Sequence, residues 1–199
     1  MISKSTPQAV VIAGPNGAGK TSSAPRLLRD ATGIDAFVNV DVVAQGLAAF
    51  RPQSAAFEAG RVALRRLHEL ARMRRDLAFE STLAGRSAYR LLQRLIEAGY
   101  DVHVFYLWLP SPELAVARVR QRVEAGGHDV PELVIRRRFW RSLINFDRLY
   151  RPMATTWRLY DGSILGVRAL VAHGEKLGGQ VVLDQETWAV VQRQVEEME

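Results

Sequence analysis

The sequence predicts an α/β fold built on a mostly parallel sheet. Three observations carry that prediction. Short apolar runs recur along the chain, helical patterns separate them, and the first run ends in a glycine-rich turn that opens a helix. Residues 9–13, Ala9-Val10-Val11-Ile12-Ala13, are continuously apolar and stop at Gly14, as a strand buried on both faces does. A helix is predicted at 22–29, a second strand at 36–40 and a long helix at 55–73. A shorter apolar run at 77–79, a helix at 87–98, a strand at 102–109 and a helix at 112–124 continue the alternation. The last of these helices opens with proline in its first turn, where a missing N–H leaves no bond unmade. Such alternation lays helices on both faces of a parallel sheet. Beyond Pro131 the pattern is helical through Asn145. Strands are then expected at 157–160, 167–172 and 181–183, with a polar helix closing the chain.

Composition narrows the classes. With 199 residues and 48% hydrophobic content the chain fits one domain, 1–199, and no repeat or low-complexity linker divides it. The longest apolar stretch, 102–109, is interrupted by His103 and falls short of the ~18 residues of a membrane span. Residues 1–8 are too polar and too few for a secretory signal, which points to the cytoplasm. No cysteine is present, so a disulfide scaffold, a thiolate zinc site and a cysteine nucleophile are excluded. His68, His103, His128 and His173 are widely separated, which argues against a histidine metal site. The net charge is +6, and of 27 basic residues three are lysines (Lys4, Lys20, Lys176) and the other 24 arginines. The guanidinium fork suits phosphate, although a GC-rich genome yields the same bias. No basic tail or aromatic–basic repeat is present, so nucleic acid is not indicated.

The strongest chemical signal is Gly14-Pro15-Asn16-Gly17-Ala18-Gly19-Lys20-Thr21, two glycines spaced by four residues and followed by Lys and Thr. A shuffled chain of this composition would contain the pattern about once in several hundred attempts. Its glycines let the backbone curl so that amide groups point at phosphate, and the following helix adds the positive end of its dipole. Lys20 then reaches the β- and γ-phosphates of a bound ATP or GTP, the Thr21 hydroxyl coordinates Mg²⁺, and the loop from Gly14 to Ser22 cradles the nucleotide. The same octet occurs in ABC transporter ATPases, and Leu177-Gly178-Gly179-Gln180 before Val181-Val182-Leu183-Asp184 superficially matches their later motifs. The two segments abut here, where those ATPases place a helix between them, so both read as a turn and a strand.

Two carboxylates follow the next strands. Asp41, in Asn39-Val40-Asp41, stands where ligands sit in open α/β sheets, or else caps a helix from Val42 onward. Glu80, in Phe79-Glu80-Ser81-Thr82-Leu83-Ala84-Gly85-Arg86, is the second acidic residue expected of a phosphoryl-transfer site, with a cap again the alternative. Arg118 and Arg122, four apart, share one helix face while Arg120 points elsewhere. A Gly126-Gly127 turn then leads to Arg136-Arg137-Arg138, and His128 in that turn is a weaker phosphate contact.

These motifs, together with 119–138 and its Gly126-Gly127-His128-Asp129-Val130-Pro131, resemble the zeta-toxin-like P-loop kinases over about residues 9–160. The resemblance implies a kinase-type P-loop NTPase fold of three layers around a mostly parallel central sheet. It implies ATP and Mg²⁺ as cofactors and a small-molecule hydroxyl as acceptor, a nucleotide sugar such as UDP-N-acetylglucosamine. Asp41 would be the base, Glu80 and Thr82 would position the acceptor with Asn39 and Arg86 nearby, and Arg122 and Arg137 would be the two lid arginines. A protein antitoxin is a conditional partner. Two other readings stay open: a nucleoside, nucleotide or polynucleotide-end kinase, and a regulatory module whose partner binding follows its nucleotide.

Overall fold

The structure, a computed structural model, describes residues 6–31, 34, 36–48, 55–127, 129–166, 168–176 and 178–198. Strand β1 (Gln8–Ala13) leads through the glycine-rich turn into α1 (Lys20–Ala31). The chain continues through β2 (Phe37–Val38), α2 (Val40–Leu47), α3 (Ala56–Arg72), β3 (Leu77–Ser81), α4 (Ser87–Glu97), β4 (Asp101–Trp108), α5 (Pro112–Glu124) and α6 (Glu132–Asn145). A π-helical turn (Phe146–Tyr150) and a short α7 (Arg151–Met153) lengthen α6. Strands β5 (Thr156–Asp161), β6 (Ala169–Glu175) and β7 (Gln180–Val182) follow, and α8 (Gln185–Glu196) is last. No helix among the described residues is long and apolar enough to cross a membrane.

One sheet runs in the order β2-β3-β1-β4-β5-β6-β7. Its first five strands pair in parallel, and β6 and β7 extend it antiparallel. The side-chain period of two divides the core cleanly. Ala9, Val11 and Ala13 of β1 and Val102, Val104 and Tyr106 of β4 pack with α3, α4 and α8. Val10 and Ile12, with Phe105 and Leu107, pack with α1, α5 and α6. Helices therefore cover both faces, as the continuous apolar runs require. Because β1 lies between β3 and β4, with the chain leaving it in both directions, its C-terminal end is a topological switch point, where α/β sheets bind ligands.

Helix α6 passes from one face of the sheet to the other. Ile135 and Phe139 belong to the α1 side, and Leu143, Phe146 and Tyr150 to the α3 side. Phe146 stacks on Tyr106 with centroids 4.3 Å apart, and the Tyr106 hydroxyl meets Ser142 Oγ at 3.0 Å. Burial drives the Tyr106 phenol far above its ordinary range, so it stays a neutral hydrogen-bonding group.

Some predicted boundaries are corrected. The strand expected at 36–40 is confined to Phe37–Val38, because the Asn39 side chain accepts from the amides of Asp41 and Val42 and starts α2 at Val40. Asp41 is therefore neither at a strand end nor a cap, but sits in the first turn of α2. Helix α1 begins at Lys20, two residues early, and α6 runs on past Asn145 through the π turn. The segment 178–184 is a turn, β7 and the cap of α8. Leu177, Val167 and His128, which belonged to predicted features, lie outside the described residues.

Phe146 is 1% exposed, stacked on Tyr106 and edge-on to Trp157. Phe146→Ala should cost about 3–5 kcal/mol of stability. Urea unfolding followed by tryptophan fluorescence measures this; a loss below about 1 kcal/mol would show that the π turn is not packed as described.

Candidate active site

The loop after β1 is pressed against its neighbours along its whole length. Gly14, at φ +139°, touches the Leu107 carbonyl of β4 so closely that no side chain fits. Gly17, at φ +79°, would place a Cβ 2.8 Å from the Ala115 carbonyl of α5. Lys20 Nζ lies over the curl and donates to the carbonyls of Gly14 and Pro15, both at 2.8 Å. Burial lowers Lys20 to about 8 from the ordinary 10.5; Glu80 and Asp41 pull it back up, and Arg122 and Arg138 push it down. The Ser22 and Ser23 hydroxyls donate to the Gly19 carbonyl at 3.0 and 2.7 Å, which tightens the start of α1.

Across from the loop, the ends of β2 and β3 bring three side chains together. Thr21 Oγ1 donates to Glu80 Oε2 at 3.1 Å, and Asn39 Nδ2 donates to Glu80 Oε1 at 3.0 Å. Desolvation raises the Glu80 carboxyl above its usual range, opposed by the Lys20 charge and by both hydrogen bonds. Glu80 therefore caps no helix. Asp41 opens into the same cavity from α2. One hydroxyl and one carboxylate are hard oxygen donors, and no group of three or more His, Cys, Asp or Glu occurs among the described residues. Such a sparse donor set fits Mg²⁺, which takes its remaining ligands from phosphate and water.

The facing wall is cationic, and ion pairing sorts it. Arg120 pairs with Glu132 at 2.6 Å, while Arg136 pairs with Glu132 and Glu113, all on the outer side of the α5–α6 pair. Arg118 and Arg122 of α5, with Arg137, Arg138 and Arg141 of α6, line the cavity instead. Of the α6 arginines it is the half-buried Arg138, rather than exposed Arg137, whose charge reaches Lys20 alongside that of Arg122. Arg118 also donates to the Gly162 and Ser163 carbonyls at 2.6 and 2.7 Å, which fastens the β5–β6 segment beside the loop.

The segment after β3 is held rigidly. Leu83 is fully buried at φ +56°, its amide donates to Ser81 Oγ at 3.0 Å, and its carbonyl accepts from Asn145 Nδ2 at 2.6 Å. The Tyr150 hydroxyl, one π turn further on, donates to the Gly85 carbonyl at 3.3 Å. Thr82 thereby faces the cavity. Of the residues singled out in the sequence, Asn16, Gly17, Gly19 to Ser22, Asn39, Asp41, Glu80, Thr82, Arg122 and Arg137 line one cavity of about 1010 Å³. Gly14, Pro15 and Ala18 form the loop's inner side, and Arg86 stands exposed at the start of α4, outside that lining. Arg118 and Arg138, each named among the arginines of the sequence, line the cavity as well, whereas Arg141 and Asn145 were missed. The spacing of Glu132 and Arg136, four apart, could have removed Arg136 from the lid and left Arg138 and Arg141, three apart, on one face.

Residues 10–141 match the AAA domain family (AAA_33). An uncharacterized protein of Haemophilus influenzae is 30% identical over 132 residues, 66% of this chain and 92% of that protein. A chain of the AvrRxo1-ORF1:-ORF2 complex crystallised with ATP is similar at TM-score 0.72 and 20% identity over 94% of this chain, which spans 63% of its length. A chain of the PezAT chromosomal toxin–antitoxin system of Streptococcus pneumoniae gives a TM-score of 0.64 at 17% identity, covering 98% of this chain and 88% of that one. Both structural likenesses show the fold that the motifs of the chain resemble. The family match spans the glycine-rich loop, both carboxylates and the arginine-bearing α5 and most of α6, and the chain belongs to the AAA domain family.

Proposed function

We propose that this protein is a kinase that moves the γ-phosphoryl group of ATP to a hydroxyl of a small molecule, a nucleotide sugar such as UDP-N-acetylglucosamine being the candidate acceptor. The observation that carries the proposal is the meeting of Lys20, Thr21, Asp41 and Glu80 with Arg122 and Arg138 in one cavity. A cavity of about 1010 Å³ has room for a nucleotide and a second substrate, more than a hydrolase acting on water requires.

The loop amides and Lys20 bind the phosphates. Arg118 and exposed Leu165 flank the loop and offer a cationic plane and an apolar face to the purine. Thr21, with Glu80 beside it, would hold Mg²⁺, which when bound neutralises phosphate charge. Thr82, on its braced segment, faces the acceptor. Asp41 accepts the proton of the acceptor hydroxyl as that oxygen bonds to the γ-phosphorus, and ADP leaves with the former bridging oxygen. Arg122 and Arg138 stabilise charge spread over the moving group, so Arg138 takes the role that the motif register had suggested for Arg137. The excess of arginine over carboxylate in the cavity suits a polyanionic pair of substrates. By likeness to the toxin–antitoxin neighbour, an antitoxin-type protein is the proposed partner.

Asp41→Asn should leave ATP affinity within about threefold and lower transfer by about a hundredfold or more, read by calorimetry and by coupled ADP release with UDP-N-acetylglucosamine, nucleosides and 5′-hydroxyl RNA. Retained turnover would remove Asp41 from the base role. Arg138→Ala should slow transfer more than Arg137→Ala, and the reverse order would restore the original register.

Lys20 supplies a pH test. Its free-protein value of about 8 means that the ammonium loses its proton as pH rises through 8, while phosphate binding requires it charged. ATP affinity should fall about tenfold between pH 7 and pH 9, with proton uptake on binding above pH 8. Calorimetry in buffers of different ionisation enthalpy detects that uptake; its lack at pH 8.5 would contradict the burial of Lys20.

A further inference from the structure

We propose that Asn39 is a positioning residue for the cation-binding side of the site rather than an acceptor contact. Its amide holds the Glu80 carboxylate against the Thr21 hydroxyl while its oxygen fixes the start of the helix that carries Asp41. The proposal rests on the ATP and Mg²⁺ reading above.

An asparagine amide has two N–H donors and one oxygen with two lone pairs. Here all four are engaged within the protein. Oδ1 accepts from Asp41 N at 2.8 Å and Val42 N at 3.3 Å. Nδ2 donates to Glu80 Oε1 at 3.0 Å and, more weakly, to Thr21 Oγ1 at 3.4 Å. The residue is 6% exposed, and although it lines the cavity, all four hydrogen-bonding positions of its amide are spent within the protein. Chemistry fixes its orientation as well: reversed, the NH₂ would face two backbone N–H groups and the oxygen would face a carboxylate.

Three parts of the site meet at this one group: the P-loop helix through Thr21, β3 through Glu80 and α2 through its first turn. The half-buried Glu80 carboxylate takes one side-chain donor at each oxygen, Asn39 at Oε1 and Thr21 at Oε2. With Oε1 tied to Asn39, Oε2 is directed at Thr21. Asparagine meets both demands at position 39 because it ranks among the strongest N-caps and also carries donors. Serine caps a helix equally well, yet its single short hydroxyl, used in capping, has no amide to offer Glu80.

The test separates cap from amide. ATP binding is measured by calorimetry with Mg²⁺ and with EDTA for the wild-type protein, Asn39→Ser and Asn39→Ala, with Asn39→Thr as a second cap-retaining variant. Wild-type protein should bind ATP more tightly with Mg²⁺. All three variants should keep the EDTA affinity within about threefold and lose about tenfold of the magnesium-dependent gain, the scale of one hydrogen bond to a charged group. A full wild-type gain in Asn39→Ser or Asn39→Thr would reduce Asn39 to a cap and overturn the proposal. A parallel loss in EDTA would do the same, since the residue would then serve the fold and not the cation side. No magnesium gain in the wild-type protein would instead overturn the kinase reading itself.

Discussion

The site depends on how closely the backbone after β1 approaches its neighbours. At Gly14 the chain touches a β4 carbonyl and at Gly17 it abuts α5, so the curl is clamped from two sides with no side chain between. The clamp fixes the curl together with the buried Ala18 and the Lys20 ammonium, which holds the carbonyls of Gly14 and Pro15. Parallel pairing of β3, β1 and β4 then sets the ends of three strands along one rim, and Glu80 arrives beside Thr21 as a consequence of register: Ile12 pairs with Glu80 and Ala13 with Ser81.

Charge is distributed by the same economy of contacts. Two outward glutamates, Glu113 and Glu132, take up Arg136 and Arg120, and their exposed pairs add little to stability. Their effect is geometric: they hold α5 and α6 side by side so that the remaining arginines of both helices face the loop. Helix α6 links this wall to the opposite one. Three of its residues carry guanidinium groups into the cavity, and its end, through Asn145 and Tyr150, grips the segment bearing Thr82. The π turn between those two residues passes the helix to the second core, where Phe146 packs on Tyr106.

Much of this was legible in the chain itself. Continuous apolar runs identify strands covered on both faces, and the spacing of Gly14, Gly19, Lys20 and Thr21 identifies the phosphate loop because its chemistry is local. Asn39 was placed in the site, but its bonds to Glu80 and Thr21 span 41 and 18 residues and no local pattern reports them. Neighbouring arginines are equivalent in a periodicity argument, and which of them stands near Lys20 depends on helix rotation set by Phe139 and Ile135 in the core. Leu83 in a left-handed conformation is likewise invisible to propensity, which would favour glycine there.

The central claim is that phosphate moves to an alcohol and not to water. The most direct measurement is ³¹P NMR of the protein with Mg²⁺, ATP labelled with ¹⁸O on the γ-phosphate, and in turn UDP-N-acetylglucosamine, nucleosides and 5′-hydroxyl RNA. The account predicts that label appears in a new phosphomonoester on one of these acceptors, faster than it appears in inorganic phosphate. Label released only as inorganic phosphate, at a rate indifferent to every acceptor, would contradict it.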